Sequence, residues 1–234
     1  MNIESKTIIP STSVKKEHVP PAVIVHPDGK TEIFNPSIFS NKYLTLVVIH
    51  SAHDPHSNLI MQSFSKVKDD FEKENCNLIA ISRDSPAVLA DWTSGNSDIM
   101  FPIMSDMNLA KNDYGLIQRL GLPLVDGYAI TSSIVIDKKG VIRYIDSAIG
   151  AGQSDEEILR ILRALNRVID VSSDKKLTPA NWNIDDPFIL NTRDGVNNYY
   201  ASKYPGEPSR NKDNGKGLIS YFRSFLSGVN EEEF

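Results

Sequence analysis

The apolar positions of this chain fall into short runs and helical stripes, and their spacing marks out the elements. The densest run is Leu44-Thr45-Leu46-Val47-Val48-Ile49, nearly unbroken and rich in β-branched residues, as in a strand covered on both faces. It belongs to a strand over residues 43–50. Just beyond it Asp54 suits a helix N-cap and Pro55 the first helical position. Ile60, Phe64, Val67 and Phe71 then recur at helical spacing, which predicts one helix over residues 55–75. Asn77-Leu78-Ile79-Ala80-Ile81-Ser82 follows as a second buried strand, so strand, helix and strand form a βαβ unit with parallel strands.

Upstream, Ala22 to His26 and Thr31 to Phe34 flank the turn Pro27-Asp28-Gly29-Lys30 as a short hairpin. Downstream, the pattern predicts a helix from Asp84-Ser85 through Trp92, a strand over residues 101–106 and a helix over residues 108–120 ending at Gly121. Residues 132–137 and 141–145 form a hairpin around Lys138-Lys139-Gly140. Ser154 and Glu157 make a capping box, with Glu157 reaching back, ahead of a helix that repeats Ile158, Ile161, Leu162, Leu165 and Val168. Patterning fades after residue 170, and Pro205, Gly206, Pro208, Gly215 and Gly217 among charges read as a linker. Leu218, Tyr221, Phe222, Phe225 and Leu226 then share one face of a last helix. The expected division is a tail (1–19), an α/β domain (20–170), a C-terminal segment (171–205), and a linker with an amphipathic helix and acidic end (206–234).

Composition narrows the function. The 234 residues, 40% hydrophobic and 24% charged, suffice for one sizeable α/β core with extensions. A net charge of −5 without any Lys/Arg-rich run argues against nucleic-acid binding. The single cysteine, Cys76, rules out an intrachain disulfide and gives no sign of secretion. The first residues lack an apolar stretch and arginine and carry Glu4 and Glu17, unlike an organelle presequence. No apolar run reaches membrane-spanning length, so the expected setting is cytoplasmic.

Four groups stand out chemically. Cys76, at a helix-to-strand corner with nothing basic beside it, reads as an inert thiol rather than a nucleophile. His50, His53 and His56 around Asp54 have metal-ligand chemistry, yet they straddle a strand end, a loop and a helix start. They are expected to flank a pocket, with His26 from the neighbouring hairpin, and no metal or cofactor is expected. The Leu218–Leu226 stripe suits docking on its own domain or a partner better than lipid, because Lys216 and Arg223 are outweighed by Glu231, Glu232 and Glu233. The end Glu231-Glu232-Glu233-Phe234 resembles the acidic-aromatic tail that tubulin presents to cytoskeletal adaptor domains, although a solvated acidic tail is the default.

The order of elements is that of a thioredoxin-like fold. Over roughly residues 8–205 the chain resembles the peroxiredoxins, the family of alkyl hydroperoxide reductase and thiol-specific antioxidant proteins. The match rests on Ala80-Ile81-Ser82-Arg83-Asp84-Ser85 with Trp92, Phe101 to Asp106, Asp113-Tyr114-Gly115, Ile134 to Asp137 with Gly140 to Arg143, and Asp155 to Arg160. Thr178-Pro179-Ala180-Asn181-Trp182 and Tyr200 to Pro205 look most like the one-cysteine subgroup. The resemblance implies an α/β fold with a central mixed sheet flanked by helices, plus a C-terminal extension.

The family's Pro-x-x-x-Thr-x-x-Cys motif then falls on His50, Asp54 and Ser57, and its following glutamate on Ile60. Its two charge-stabilising arginines fall on Thr131 and Gln153, and the resolving cysteine of some members on Thr178. A serine hydroxyl forms no thiolate equivalent near neutral pH, so no thiol peroxidase chemistry is expected of these residues. The expected role is that of an inactive structural or interaction component, a homodimer or a subunit of a larger complex. The rivals are a thiol-dependent peroxidase with unconventional residues and a protein binding metal or anion at the histidines and the helix N-terminus.

Overall fold

The computed structural model describes residues 22–34, 41–107, 115–147, 151–169 and 176–205. The expected N-terminal tail, the greater part of the helix at 108–120 and the segment 206–234, with Leu218, Tyr221, Phe222, Phe225, Leu226 and Phe234, lie outside these residues. The chain divides into two compact units, Met1–Asn166 and Arg167–Phe234.

In the first unit, strands β1 (Val23–Val25) and β2 (Thr31–Ile33) form the expected hairpin, and β3 (Tyr43–Val48) is buried along its whole length. Helices α1 (Pro55–Lys66) and α2 (Lys68–Lys73), strand β4 (Cys76–Ser82), helix α3 (Pro86–Ser94) and strand β5 (Ile103–Ser105) follow. Next come α4 (Leu116–Arg119), the small hairpin β6 (Leu124–Val125) and β7 (Tyr128–Ala129), strands β8 (Ser132–Ile136) and β9 (Ile142–Ser147), and α5 (Asp155–Ile169). The second unit holds β10 (Lys176–Leu177), β11 (Ile189–Leu190) and α6 (Arg193–Lys203).

The large sheet runs β2-β1-β5-β4-β3-β8-β9. β3, β4 and β5 are parallel, whereas β1, β8 and β9 join antiparallel, so the sheet is mixed as expected. Side chains of β3 alternate between two cores. Tyr43, Val47 and Ile49 face a layer with Met61 and Phe64 of α1, Phe71 of α2, Leu89 of α3 and Ile158 and Leu162 of α5. Leu44, Leu46 and Val48 face Leu116 and Ile117 of α4 with Leu120 and Leu122. The unbroken apolar run exists because both faces are covered.

Several expectations need correction. The single helix over residues 55–75 is two, because Val67 leaves helical geometry (φ −107°, ψ 10°) and its N–H bonds back to the carbonyls of Phe64 and Ser65. Neither proline nor glycine marks that break. The helix start expected at Asp84-Ser85 is present, with Ser85 as the N-cap whose hydroxyl accepts the Val88 N–H ahead of Pro86. Ser154 does cap α5 by accepting the Glu157 N–H, but the Glu157 carboxylate turns forward. It accepts Nε and Nη2 of Arg160, each at 2.6 Å, since a bidentate guanidinium pair outcompetes a neutral N–H. Residues 171–205, read as largely unpatterned, contain β10, β11 and α6.

Candidate functional site

The parallel pair β3 and β4 ends beneath the N-terminus of α1, where a connecting loop meets a helix that begins with proline. Asp54 is the N-cap: extended at φ −71° and ψ 128°, it accepts the Ser57 N–H at 2.7 Å through Oδ2. The same oxygen accepts the Ser57 hydroxyl at 2.9 Å. That hydroxyl in turn accepts the Ser51 N–H at 3.4 Å, which closes the loop on itself. Ser57 is fully buried.

Asp84 fixes the loop from outside. Its Oδ2 accepts the Ala52 N–H at 2.6 Å and the Ser82 hydroxyl at 2.7 Å, and its carbonyl accepts the Ser105 hydroxyl at 2.7 Å. In the sequence Asp84 stands as a helix start and within the Ala80–Ser85 stretch of the resemblance, not as a residue that fixes this loop. The Ser82-x-Asp84 spacing, in which short polar side chains bond locally, was the available signal. Asn58 ties α1 to α3 by accepting Trp92 Nε1 at 3.2 Å and Asn96 Nδ2 at 2.9 Å.

Thr131 and Gln153 lie together and are both buried: Gln153 Nε2 donates to the Thr131 carbonyl at 3.5 Å. Gly152 brings this strand of chain against α1, since a Cβ there would sit 3.9 Å from His56 Nε2. Among the described residues Gln153 Oε1 has no hydrogen-bond partner, nor does the buried Ser133 hydroxyl on β8. A buried orphan of this kind costs stability, about 1–3 kcal/mol each.

The histidines do not converge. His50 is exposed and stacks on Tyr128 of β7, with ring centroids 4.6 Å apart and planes 23° apart. His53, at φ +59°, points Nε2 toward Asp91 Oδ2 at 3.8 Å and tilts against Trp92. His26 pairs with Glu32 of its own hairpin at 3.1 Å, so it does not join the other three. Among the described residues no group of three His, Cys, Asp or Glu side chains could hold a metal ion. The Asp126-Gly127 turn that presents Tyr128 was missed, although both residues have positive φ (50° and 85°) and Asp-Gly is a strong hairpin signal.

Cys76 opens β4 under the sheet and is buried, with Sγ 3.3 Å from Thr45 Oγ1. Burial pushes its thiol up to about 12, and the Thr45 hydrogen bond only partly opposes that. This is a core thiol. Across the sheet, the buried Asp106 carboxylate accepts the Leu116 and Ile117 N–H groups at 2.5 and 3.1 Å and so starts α4.

The arrangement at α1 has a definite chemistry. The carboxylate of Asp54 occupies the N-terminal N–H that an anionic ligand would need, and Pro55 offers none. The Ser57 hydroxyl is tied as a donor to that carboxylate, which is far too weak a base to ionise it. The Ser57 N–H and hydroxyl of this first turn are therefore satisfied internally.

Comparison with known proteins places this geometry in a family. A sequence profile described as the AhpC/TSA family matches residues 16–145. Peroxiredoxin-4 of Dictyostelium discoideum is 30% identical over 150 residues, covering 60% of this chain and 54% of that protein. Alkyl hydroperoxide reductase C of Mycobacterium tuberculosis is 30% identical over 131 residues, covering 54% of this chain and 61% of the relative. The chain thus spans between half and two thirds of the length of these relatives. Among solved structures, reduced 2-Cys peroxiredoxin of Plasmodium vivax superposes with a TM-score of 0.70 at 21% identity, over 82% of this chain and all of that one. AhpC of Enterococcus faecalis gives 0.61 at 19% identity, over 71% and 97% of the two chains. With over half its length matched by one family profile, and with solved members superposing on it, the chain belongs to the AhpC/TSA family, the peroxiredoxins.

Proposed function

We propose that this chain is a peroxiredoxin-fold protein without thiol peroxidase activity that serves as a structural or interaction component of a larger assembly. The observation that carries the reading is the state of Ser57. At the position where the resemblance sets the family's reactive cysteine, a fully buried hydroxyl is held by the Asp54 carboxylate. Peroxide reduction by a thiol needs a thiolate, a positive environment that keeps it ionised and a donor that orients the peroxide. Here the sulfur is absent, the nearest charge is negative, and Thr131 and Gln153 stand where arginines are expected. The one thiol of the chain is buried and kept protonated by its surroundings.

The sheet favours association. Among the described residues β9 is an outer strand with no further strand beside it, and its Arg143, Ile145 and Ser147 are exposed, an edge suited to pairing with another chain. The test has two parts. Hydrogen peroxide consumption with a dithiol reductant should not exceed that of buffer, and fast turnover sinks the proposal. Light scattering after gel filtration should give a mass above 26.0 kDa, whereas a strictly monomeric protein that captures no partner removes the assembly role.

A further inference from the structure

The tip of the small hairpin holds a peptide bond that the fold leaves unguarded. β6 and β7 pair only with each other, Leu124 with Ala129 and Val125 with Tyr128, so Asp126-Gly127 forms a two-residue turn. Both residues have positive φ, 50° and 85°, as a type I′ turn requires. Both are exposed, and a Cβ built on Gly127 would meet nothing within 4 Å. Arg83 Nη1 donates to the Gly127 carbonyl at 2.5 Å, and Tyr128 stacks on His50. Among the described residues no hydrogen bond or ion pair engages the Asp126 carboxylate or the Gly127 N–H. A ladder this short opens at low cost.

An aspartate before glycine is where a side-chain carboxyl most easily closes a ring on the main chain, because glycine has no Cβ to hinder the attacking nitrogen. The chain has this pair at Asp28-Gly29, Asp126-Gly127 and Asp194-Gly195. The fold blocks two of the three. The Gly29 N–H donates to the His26 carbonyl at 2.9 Å, and a Cβ on Gly29 would sit 3.1 Å from Ser94 Cβ of α3. Lys30 also binds the Asp28 carboxylate through Nζ at 2.6 Å and its N–H at 3.1 Å, which holds that carboxyl below its usual pKa, whereas ring closure needs the protonated form to lose water. Gly195 lies inside α6, and its N–H donates to Thr192 Oγ1 at 3.0 Å. The corresponding amide pair, Asn214-Gly215, lies outside the described residues.

We propose that Asp126-Gly127 is a site of spontaneous aspartate isomerisation, and that the isoaspartate formed at the hairpin tip is a substrate for carboxyl methylation by an S-adenosylmethionine-dependent methyltransferase. When the hairpin opens, the Gly127 nitrogen attacks Cγ of the protonated Asp126 side chain. An N–Cγ bond forms, the Cγ–OH bond breaks, and the hydroxyl leaves as water with the amide proton. Water then reopens the cyclic imide at either carbonyl. Addition at Cγ restores aspartate; addition at the main-chain carbonyl leaves the chain running through Cγ, with a free α-carboxylate for the methyl group. The isomerisation is redox-neutral and needs only water. Its product puts one extra carbon into the main chain of a two-residue turn, so the pairs Leu124–Ala129 and Val125–Tyr128 cannot both persist, and Tyr128 loses its stack on His50.

The test ages the full chain for weeks at neutral pH in water enriched in heavy oxygen, digests it in ordinary water and reads each peptide by mass spectrometry. Every reopening of the imide leaves one heavy oxygen behind. The peptide with Asp126 should take up at least threefold more than those with Asp28 or Asp194. Isoaspartyl methyltransferase with labelled S-adenosylmethionine should mark that same peptide of the aged chain. In urea the three peptides should become alike, because the contacts that restrain Gly29 and Gly195 are then gone. Asp126→Gly keeps a residue that accepts positive φ and should abolish both signals. The comparison within the wild type decides the matter if that variant does not fold. Equal uptake by the three peptides of the folded chain overturns the proposal. So does a preference for Asp126 that survives undiminished in urea, since local sequence would then explain it, or uptake that survives in Asp126→Gly. Heavy oxygen without methyl transfer overturns the isoaspartate product.

Discussion

Asp106 is the group through which acid should act on this fold. Its side chain is 5% exposed. Burial is the largest influence and raises its pKa from 3.8 to about 6, against the pull of the Ile117 and Leu116 N–H groups and of Arg83 and Arg119. A carboxyl whose folded pKa lies above its unfolded one binds more protons in the folded state. Its contribution is therefore fully present below pH 3.8 and is lost as pH rises through about 6. A shift of about two units, at 1.36 kcal/mol each, makes the ionised form cost about 3 kcal/mol at neutral pH. Asp106→Asn removes the charge, but its single acceptor cannot serve both N–H donors, and one of them then faces the amide NH2. That loss of about 1–3 kcal/mol roughly offsets the gain at pH 7. The informative quantity is thus the difference in unfolding free energy between wild type and Asp106→Asn, from urea melts at pH 4, 5, 6 and 7. The wild type should gain about 1–3 kcal/mol on the variant from pH 7 to pH 4, mostly between pH 6 and 4. The subtraction cancels carboxylates common to both proteins, such as Asp137. Although burial alone would raise Asp137, the Val141 N–H, the Arg143 guanidinium and the Lys139 N–H hold it below its usual value. A difference that stays constant with pH refutes the assignment.

Four further outcomes are expected. Asp54→Ala should lower stability by about 1 kcal/mol, within the range for lost N-caps, while Asp54→Asn changes little; a rise in melting temperature for the alanine variant would contradict the cap. Gly115→Ala should destabilise by about 1–3 kcal/mol, because its Cβ would overlap the Asp106 carboxylate, which two N–H groups hold in place; an unchanged melting temperature would show that the carboxylate yields. Cys76 should ignore iodoacetamide until the protein is unfolded in urea, and modification of the native protein would contradict its burial. Ser57→Cys alone should consume hydrogen peroxide no faster than an ordinary exposed thiol in stopped-flow measurements, because the Asp54 carboxylate beside it disfavours a second anion and a helix N-terminus returns only ~0.3–1 kcal/mol.

What could be read from the sequence was what local chemistry decides. Asp54-Pro55 announces a helix start because an N-cap and a pre-set φ act within four residues, and the run from Leu44 announces a strand covered on both sides. Setting Ser57 against the reactive-cysteine position, as the resemblance implies, needs only the register of the strands around it. Less visible were features made by contacts distant in the chain. Asp106 starts α4 from ten residues away, and Asp84 reaches back to Ala52. No motif encodes either pairing. α6 is hard to read for another reason: Val196, Tyr200 and Tyr204 recur at helical spacing, but they stand among polar residues and none of the helix is buried. The break at Val67 has no sequence signal at all, since Phe64 and Phe71 keep facing one core across it.

The seat of Cys76 has one further consequence. With its sulfur sealed beneath the sheet beside Thr45, the chain has no thiol that can exchange electrons with its surroundings while it stays folded. A surrounding thiol–disulfide couple can swing widely without changing the state of Cys76. Oxidants that reach the folded chain would act instead on exposed thioethers such as Met100 and Met107.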